Sequence, residues 1–219
     1  MIKKIKLIFF FSLFVITTFL ASSSYAQLEY AETIAVLRQG YYGEIQAQRN
    51  YLVFAGKAEF DKYHNIANLF ISLAASEEVH AKNFKKILND LGVSLDEPAE
   101  IEIKVSRTKE NLKYAVGVEL SEIDKQYPGF IKRIENENYA EAIKNITYAW
   151  EAEKQHRGLI EKIRSNIGIF FGIIARKIES SPTKYFVCAT CGSTVIELPQ
   201  YYCPICKGPV SAYREVTKI

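Results

Sequence analysis

The chain is short of the side chains that most often bind metals. Its 219 residues include three histidines and four cysteines, and no cysteine precedes Cys188. The long first part therefore offers no thiolate, which argues against a soft-metal site there. An excess of one charge is missing too. The formal net charge of +3 resides in Lys3, Lys4 and Lys6; without them 25 basic residues face 25 acidic ones. No basic stripe with interleaved aromatics occurs, so nothing points to a nucleic-acid partner. After residue 26 no run is apolar enough to cross a membrane.

What is present begins with "MIKKIKLIFFFSLFVITTFLASSSYA", residues 1–26. Three lysines, an uncharged apolar run and the small residues before Ala26 have the layout of a secretory signal, cleaved after Ala26. That layout implies an exported, periplasmic or extracytoplasmic protein. The run from Leu7 to Ala26 is about long enough to span a bilayer, so a retained N-terminal anchor is the alternative. No arginine pair precedes the run, and nothing indicates export in the folded state.

Four long helical patterns follow, over about 28–58, 60–91, 107–126 and 139–165. A loop containing Pro98 separates the second from the third, and Pro128-Gly129 is expected to kink or end the third. Short turns within pairs and a longer crossover between them predict an all-α four-helix bundle over residues 27–180. An apolar connector, "NIGIFFGIIARKI", leads from it to a segment dense in Cys, Pro and Gly, which we read as a small second domain over 181–219.

The apolar stripes of the helices are interrupted by charge. Leu37, Tyr41, Gln48, Tyr51 and Ala55 flank Glu44. Ile66, Phe70, Leu73, Phe84, Ile87 and Leu91 flank Glu77 and His80. Leu112 and Ala115 lead to Glu119 and Glu122. Ala142, Ile146, Ala149, Ile160 and Ile163 flank Glu153 and His156. Each acid lies near mid-helix, so an antiparallel bundle would bring five carboxylates and two imidazoles to one depth. Like charges cannot be held together there without a cation. Two of the three histidines lie three residues after a glutamate, and Glu-x-x-His on two helices with a lone Glu on the others is the arrangement of di-iron and di-manganese carboxylate bundles. Carboxylate with imidazole suits iron or manganese. His64 has no such partner and reads as a surface residue; Glu78 and Glu151 lie off the stripes and read as solvated.

Cys188-x-x-Cys191 and Cys203-x-x-Cys206 supply four thiolates at the spacing of one tetrahedral ion, with Gly192 after the first pair and Pro204 inside the second. The spacing fits a structural zinc ribbon or a mononuclear rubredoxin-type iron. Two disulfides are the third reading in an exported chain.

Taken together, "YYGEIQAQRNYLVFA", "AASEEVHAKNF", "VELSEIDKQYP", "AEKQHRGLI" and the paired cysteine loops resemble the rubrerythrin family. That resemblance implies a ferritin-like di-iron bundle followed by a β-rich, rubredoxin-like domain that holds one iron on four cysteines. It implies that the E-x-x-E pair Glu119 and Glu122 supplies an extra carboxylate on the third helix, and that Tyr51 and Tyr127 line the di-iron pocket. It further implies that Glu122 and His80 exchange as ligands when the site is reduced. The activity implied is a peroxidase reaction, hydrogen peroxide going to water with electrons relayed from the thiolate iron. A homodimer, packed head to tail, is the implied working unit. The usual electron donors of the family are cytoplasmic, so an export signal leaves the donor protein unknown. Two other readings of the same residues are a ferroxidase or iron-handling bundle, and a metal-binding scaffold with a structural zinc ribbon.

Overall fold

A computed structural model describes residues 28–100, 102–164, 179–180 and 183–216. The leader-like run 1–26, the apolar connector over 166–178 and the side chain of Ile163 lie outside the described residues. Helix α1 spans Ala31–Phe60 and α2 spans His64–Asp90. A tight turn joins them, in which Lys62 takes a left-handed φ of 67°. The stripe of α1 is buried as its spacing predicts except at one position: Ala47 faces the core, and Gln48 is half-buried. Gly40 lets the two helices approach closely, since a Cβ there would lie 3.0 Å from the Phe84 ring.

The third bundle helix departs from its expected end. Helix α3 (Thr108–Ser121) passes through a π-helical turn at Glu122–Gln126 into α4 (Tyr127–Ile134) without a break. Pro128 does not end it. In the π register each N–H reaches five residues back, as Tyr127 N–H does to the Glu122 carbonyl. The equivalent acceptor for residue 128 is the Ile123 carbonyl, and proline has no N–H to give it. Trp150 of the last helix fills the place, its Nε1–H donating to the Ile123 carbonyl at 2.9 Å. The wider turn also corrects a phase error. Eight residues of α-helix rotate about 800°, which would leave Tyr127 about 80° away from Glu119. With the π turn Glu119, Glu122 and Tyr127 are all buried in the bundle.

Helix α5 (Ala140–Arg164) completes the bundle. The start of three helices is capped by a carboxylate from elsewhere in the chain. Glu137 accepts the N–H groups of Glu32 and Thr33 at 2.8 and 2.7 Å. Glu179 accepts that of Asn65 at 2.8 Å, and Asp61 accepts the Thr108 hydroxyl at 2.8 Å. Anions at these positive helix ends are favourable, and each ties one element to another. His64 is exposed and pairs with Glu59, as its surface reading requires.

The apolar interior falls into two clusters. One, around Tyr51, Phe54, Phe70 and Leu112, fills one end of the bundle; the other, around Leu37, Phe84, Tyr127 and Ile146, fills the other end. Residues 183–216 form a small antiparallel sheet of β1 (Phe186–Cys188), β2 (Thr194–Val195) and β3 (Tyr213–Glu215), in the order β2-β1-β3. Its two cysteine loops turn on left-handed residues, Gly192 after the first pair and Lys207 after the second. The architecture is the ferritin-like bundle with a rubredoxin-like module that the resemblance implies.

Trp150→Phe keeps an aromatic side chain but leaves the Ile123 carbonyl without its donor. An unpaired buried acceptor costs about 1–3 kcal/mol, so the urea midpoint should fall, with helix content at rest unchanged. Circular dichroism is the probe, because Trp150 is the only tryptophan. An unchanged midpoint would show that the π turn does not depend on it.

Candidate metal centre

Between the two apolar clusters lies a polar layer supplied by all four bundle helices. Glu44, Glu77, His80, Glu119, Glu153 and His156 are each at most 2 % exposed, and Glu122 is 8 % exposed. They form two groups with two members in common. Glu44, Glu77, His80 and Glu153 bring one ligand atom each to within 4.8 Å of one another, and so do Glu77, Glu119, Glu153 and His156. Glu77 and Glu153 belong to both, which is the layout of two ions bridged by two carboxylates. The Glu-x-x-His spacing produces it: His80 Nδ1 stands 3.0 Å from Glu77 and His156 Nδ1 stands 2.8 Å from Glu153, each one helical turn on. Across the layer His80 Nδ1 is 3.2 Å from Glu153, and His156 Nδ1 is 3.4 Å from Glu77. Glu122 belongs to neither group; of the residues read from the sequence as ligands, it is the one the structure sets aside.

Two tyrosines close the layer from the apolar clusters. Tyr51 Oη donates to Glu119 at 2.5 Å, and Tyr127 Oη donates to Glu44. Burial, then the neighbouring carboxylates, push both phenols well above their ordinary range, so they stay protonated.

The charges are not balanced by the protein. Burial pushes the Glu44 carboxyl up to about 7 against the pull of His80. Burial and the repulsion of Glu153 push Glu119 and Glu122 well up. Burial opposes the charge on Glu153 as well, but His156 and His80 outweigh it and hold that carboxyl low. Burial likewise opposes the imidazolium of His156, and Glu153 and Glu77 outweigh it, raising the group to about 9. Among the described residues no lysine or arginine enters the layer. Glu119 Oε2 and Glu153 Oε1 are buried and accept no hydrogen bond. Hard oxygen donors with idle lone pairs, two imidazoles and two shared carboxylates fit a pair of iron ions.

The cysteines fit one more ion. Cys188 Sγ lies 3.8 Å from Cys206 Sγ, and Cys191 Sγ lies 3.5 Å from Cys203 Sγ. Sulfurs at about 2.3 Å from a tetrahedral ion are about 3.8 Å apart, whereas a disulfide needs about 2.05 Å. All four thiols are free, and three are buried.

The module sits on the polar layer, a placement that could not be read from the sequence. Ser76 Oγ–H donates to the Gly192 carbonyl at 2.6 Å and Asn83 Nδ2–H to the Thr190 carbonyl at 2.9 Å. From α5, Gln155 Oε1 accepts the Thr194 N–H at 3.1 Å, and His156 Nε2 lies 3.4 Å from Thr194 Oγ1. A Cβ on Gly192 would lie 2.2 Å from His80 Nε2. Both histidines therefore face the carboxylates with Nδ1 and the cysteine module with Nε2. Only the glycine of "CATCG" hinted at this, and its spacing with the cysteines already explained it as a metal knuckle.

A bridged carboxylate pair in a four-helix bundle, with a tetrathiolate module laid over it, defines a class of non-haem iron protein that holds two centres side by side. The rubrerythrin family model matches residues 35–164. Rubrerythrin-2 of Clostridium acetobutylicum is 32% identical over 180 residues, covering 80% of this chain and 92% of the relative. Rubrerythrin of Clostridium perfringens is 31% identical over 197 residues, 87% and 97% of the two chains. A solved structure of fully reduced nigerythrin superposes with a TM-score of 0.73 over 84% of this chain and 86% of that one, at 24% identity, which speaks to the fold. The chain belongs to the rubrerythrin family, whose members bind a di-iron pair, and its carboxylate–histidine and cysteine clusters fit that set of metals.

Two outcomes follow. Because Glu77 and Glu153 are common to both groups, the Glu77→Ala, Glu153→Ala double variant should lose both bundle ions and keep the cysteine-bound one; metal analysis showing three ions per chain would contradict the assignment. The second concerns pH. The folded, metal-free bundle binds protons at Glu44, Glu119, Glu122 and His156 more tightly than the unfolded chain does. Their contribution is complete below the ordinary range of each group and is lost as pH rises through about 7 for Glu44 and about 9 for His156. Glu153 acts oppositely, but only in acid. Metal-free protein should therefore melt several degrees lower at about pH 8.5 than at about pH 6. Bound metal should remove or reverse the trend, since its ligands must be deprotonated. A metal-free protein that gains stability over this interval would contradict the charge assignment.

Proposed function

We propose that this chain is a peroxidase that reduces hydrogen peroxide to water in defence against oxidative stress. The observation that carries the reading is the seating of the tetrathiolate module on the carboxylate layer, with Gly192 against His80 and Thr194 beside His156. A closed tetrathiolate centre has no open position for a substrate and is suited to passing electrons. An iron-storage or ferroxidase bundle has no need of such a module at that place.

The reaction consumes two electrons and two protons and yields two waters. Two reduced irons held by the bundle would supply the electrons that cleave the O–O bond. The chain's own residues supply the rest. The layer is buried between the two apolar clusters that contain Tyr51 and Tyr127. Both phenols keep their protons and hold Glu119 and Glu44 in fixed orientations. Glu122, outside both ligand groups and with its proton affinity raised chiefly by burial, is placed to carry a proton. His80 stands in one ligand group and Glu122 outside both; the exchange that the resemblance implies would bring Glu122 in and His80 out.

Electrons come from an unidentified donor protein through the cysteine module. Within the single chain the module lies on the chain's own bundle; a head-to-tail homodimer would make the same contact between copies.

Replacing Cys203 and Cys206 by Ser separates the two halves of the reaction. Chemically reduced variant should still consume about one equivalent of peroxide per iron pair, while steady-state turnover with a donor that enters through the thiolate iron falls sharply. Full steady-state turnover would make the module structural and favour a ferroxidase-like protein.

A further inference from the structure

The cysteine module contains a buried hydroxyl that peroxide reduction does not use. Tyr213, at the start of β3, is 8 % exposed. Its Oη lies 3.3 Å from Cys203 Sγ and 2.8 Å from Ser193 Oγ. Ser193 Oγ–H in turn donates to Gln155 Oε1 of α5 at 3.0 Å. The same amide oxygen accepts the Thr194 N–H at 3.1 Å, which fixes its orientation toward the module.

Counting protons decides how these groups share them. Two hydroxyls hold one proton each, and a hydroxyl that has donated its proton can only accept thereafter. With the Ser193 proton committed to Gln155, Ser193 Oγ becomes an acceptor. The Tyr213 proton then has two destinations, Ser193 Oγ and Cys203 Sγ. Without Gln155, Ser193 could donate to Tyr213 Oη, and the Tyr213 proton would go wholly to the sulfur.

A hydrogen bond to a ligating sulfur matters because a ferrous tetrathiolate carries one more negative charge than the ferric form. A donor at the sulfur stabilises the reduced form more and raises the potential. We propose that Tyr213 is a positioning residue whose hydroxyl, shared between Cys203 and Ser193, sets the reduction potential of the tetrathiolate iron, and that Gln155 of the bundle sets the share. Seating the module on the bundle therefore lowers the potential. The thiolate iron becomes a stronger donor when it faces the site it must reduce, and a more ready acceptor when it does not. This rests on the reading of the cysteine centre as a redox iron.

The test is a potentiometric titration of the iron-loaded full chain, following the ferric–thiolate absorption. Tyr213→Phe should keep the colour and lower the potential, because the sulfur loses its hydroxyl donor. Ser193→Ala should raise it, because the Tyr213 proton is no longer shared. In the Tyr213→Phe background the Ser193→Ala substitution should produce no shift, since there is no proton left to redistribute. A Ser193→Ala shift of equal size in both backgrounds would assign the effect to altered exposure of the sulfurs and overturn the proposal. So would a potential indifferent to Tyr213→Phe. Gln155→Leu gives a second reading outside the module: it releases the Ser193 proton, and the potential should rise as it does for Ser193→Ala. A colourless iron-loaded wild type overturns the redox reading of the centre itself; a coloured centre that ignores Tyr213 and Ser193 overturns this inference alone.

Discussion

Five carboxylates packed within one four-helix bundle repel one another, and water is excluded from where they meet. The histidines and the tyrosines have to accommodate that repulsion. The two histidines offset part of it, since each is held cationic by the glutamate one turn before it and by another across the layer. The phenols of Tyr51 and Tyr127 take up further lone pairs. Buried carboxylate oxygens still remain without a donor, at Glu119 and Glu153. A pair of divalent ions answers this deficit in charge and in coordination together. The bundle is thus built around a need for metal, with two apolar clusters supplying the stability that the polar layer does not.

The second centre is organised by the first. Each histidine that turns Nδ1 to the carboxylates must turn Nε2 away from them, and that nitrogen meets the cysteine module, at Gly192 for His80 and at Thr194 of β2 for His156. Gly192 permits the approach on two grounds at once. Its φ of +78° is one that side chains disfavour, and any Cβ would strike His80 and Ser76. Polar contacts from α2 and α5, through Ser76, Asn83 and Gln155, hold the loop in register. The imidazoles consequently stand between the two metal-binding clusters.

Much of this was legible in the sequence, and the reasons are physical. Glu44, Glu77, Glu119, Glu153 and both histidines could be found because a charge on an apolar helical stripe is costly, and the Glu-x-x-His spacing places two ligands on one face. The paired cysteine loops carry their geometry in their spacing. What could not be read depends on partners far along the chain. The π turn needs Trp150 to satisfy a carbonyl that Pro128 leaves open. The helix starts are capped by Glu137, Glu179 and Asp61, not by their own preceding residues. Ser76, Asn83 and Gln155 look like ordinary polar helix positions until the module is laid on them. Periodicity alone puts Gln48 on the α1 stripe where Ala47 belongs, because residues three and four positions on from Glu44 satisfy it equally.

In the proposed reaction electrons pass between the thiolate iron and peroxide only by way of the carboxylate layer. Rapid mixing of fully reduced protein with hydrogen peroxide, observed through the return of the ferric–thiolate colour, tests it most directly. Recolouring should be fast in the wild type and slow in the Glu77→Ala, Glu153→Ala variant, whose cysteine centre is intact. Equal rates in the two proteins would show that peroxide oxidises the thiolate iron directly, and would rule out the relay.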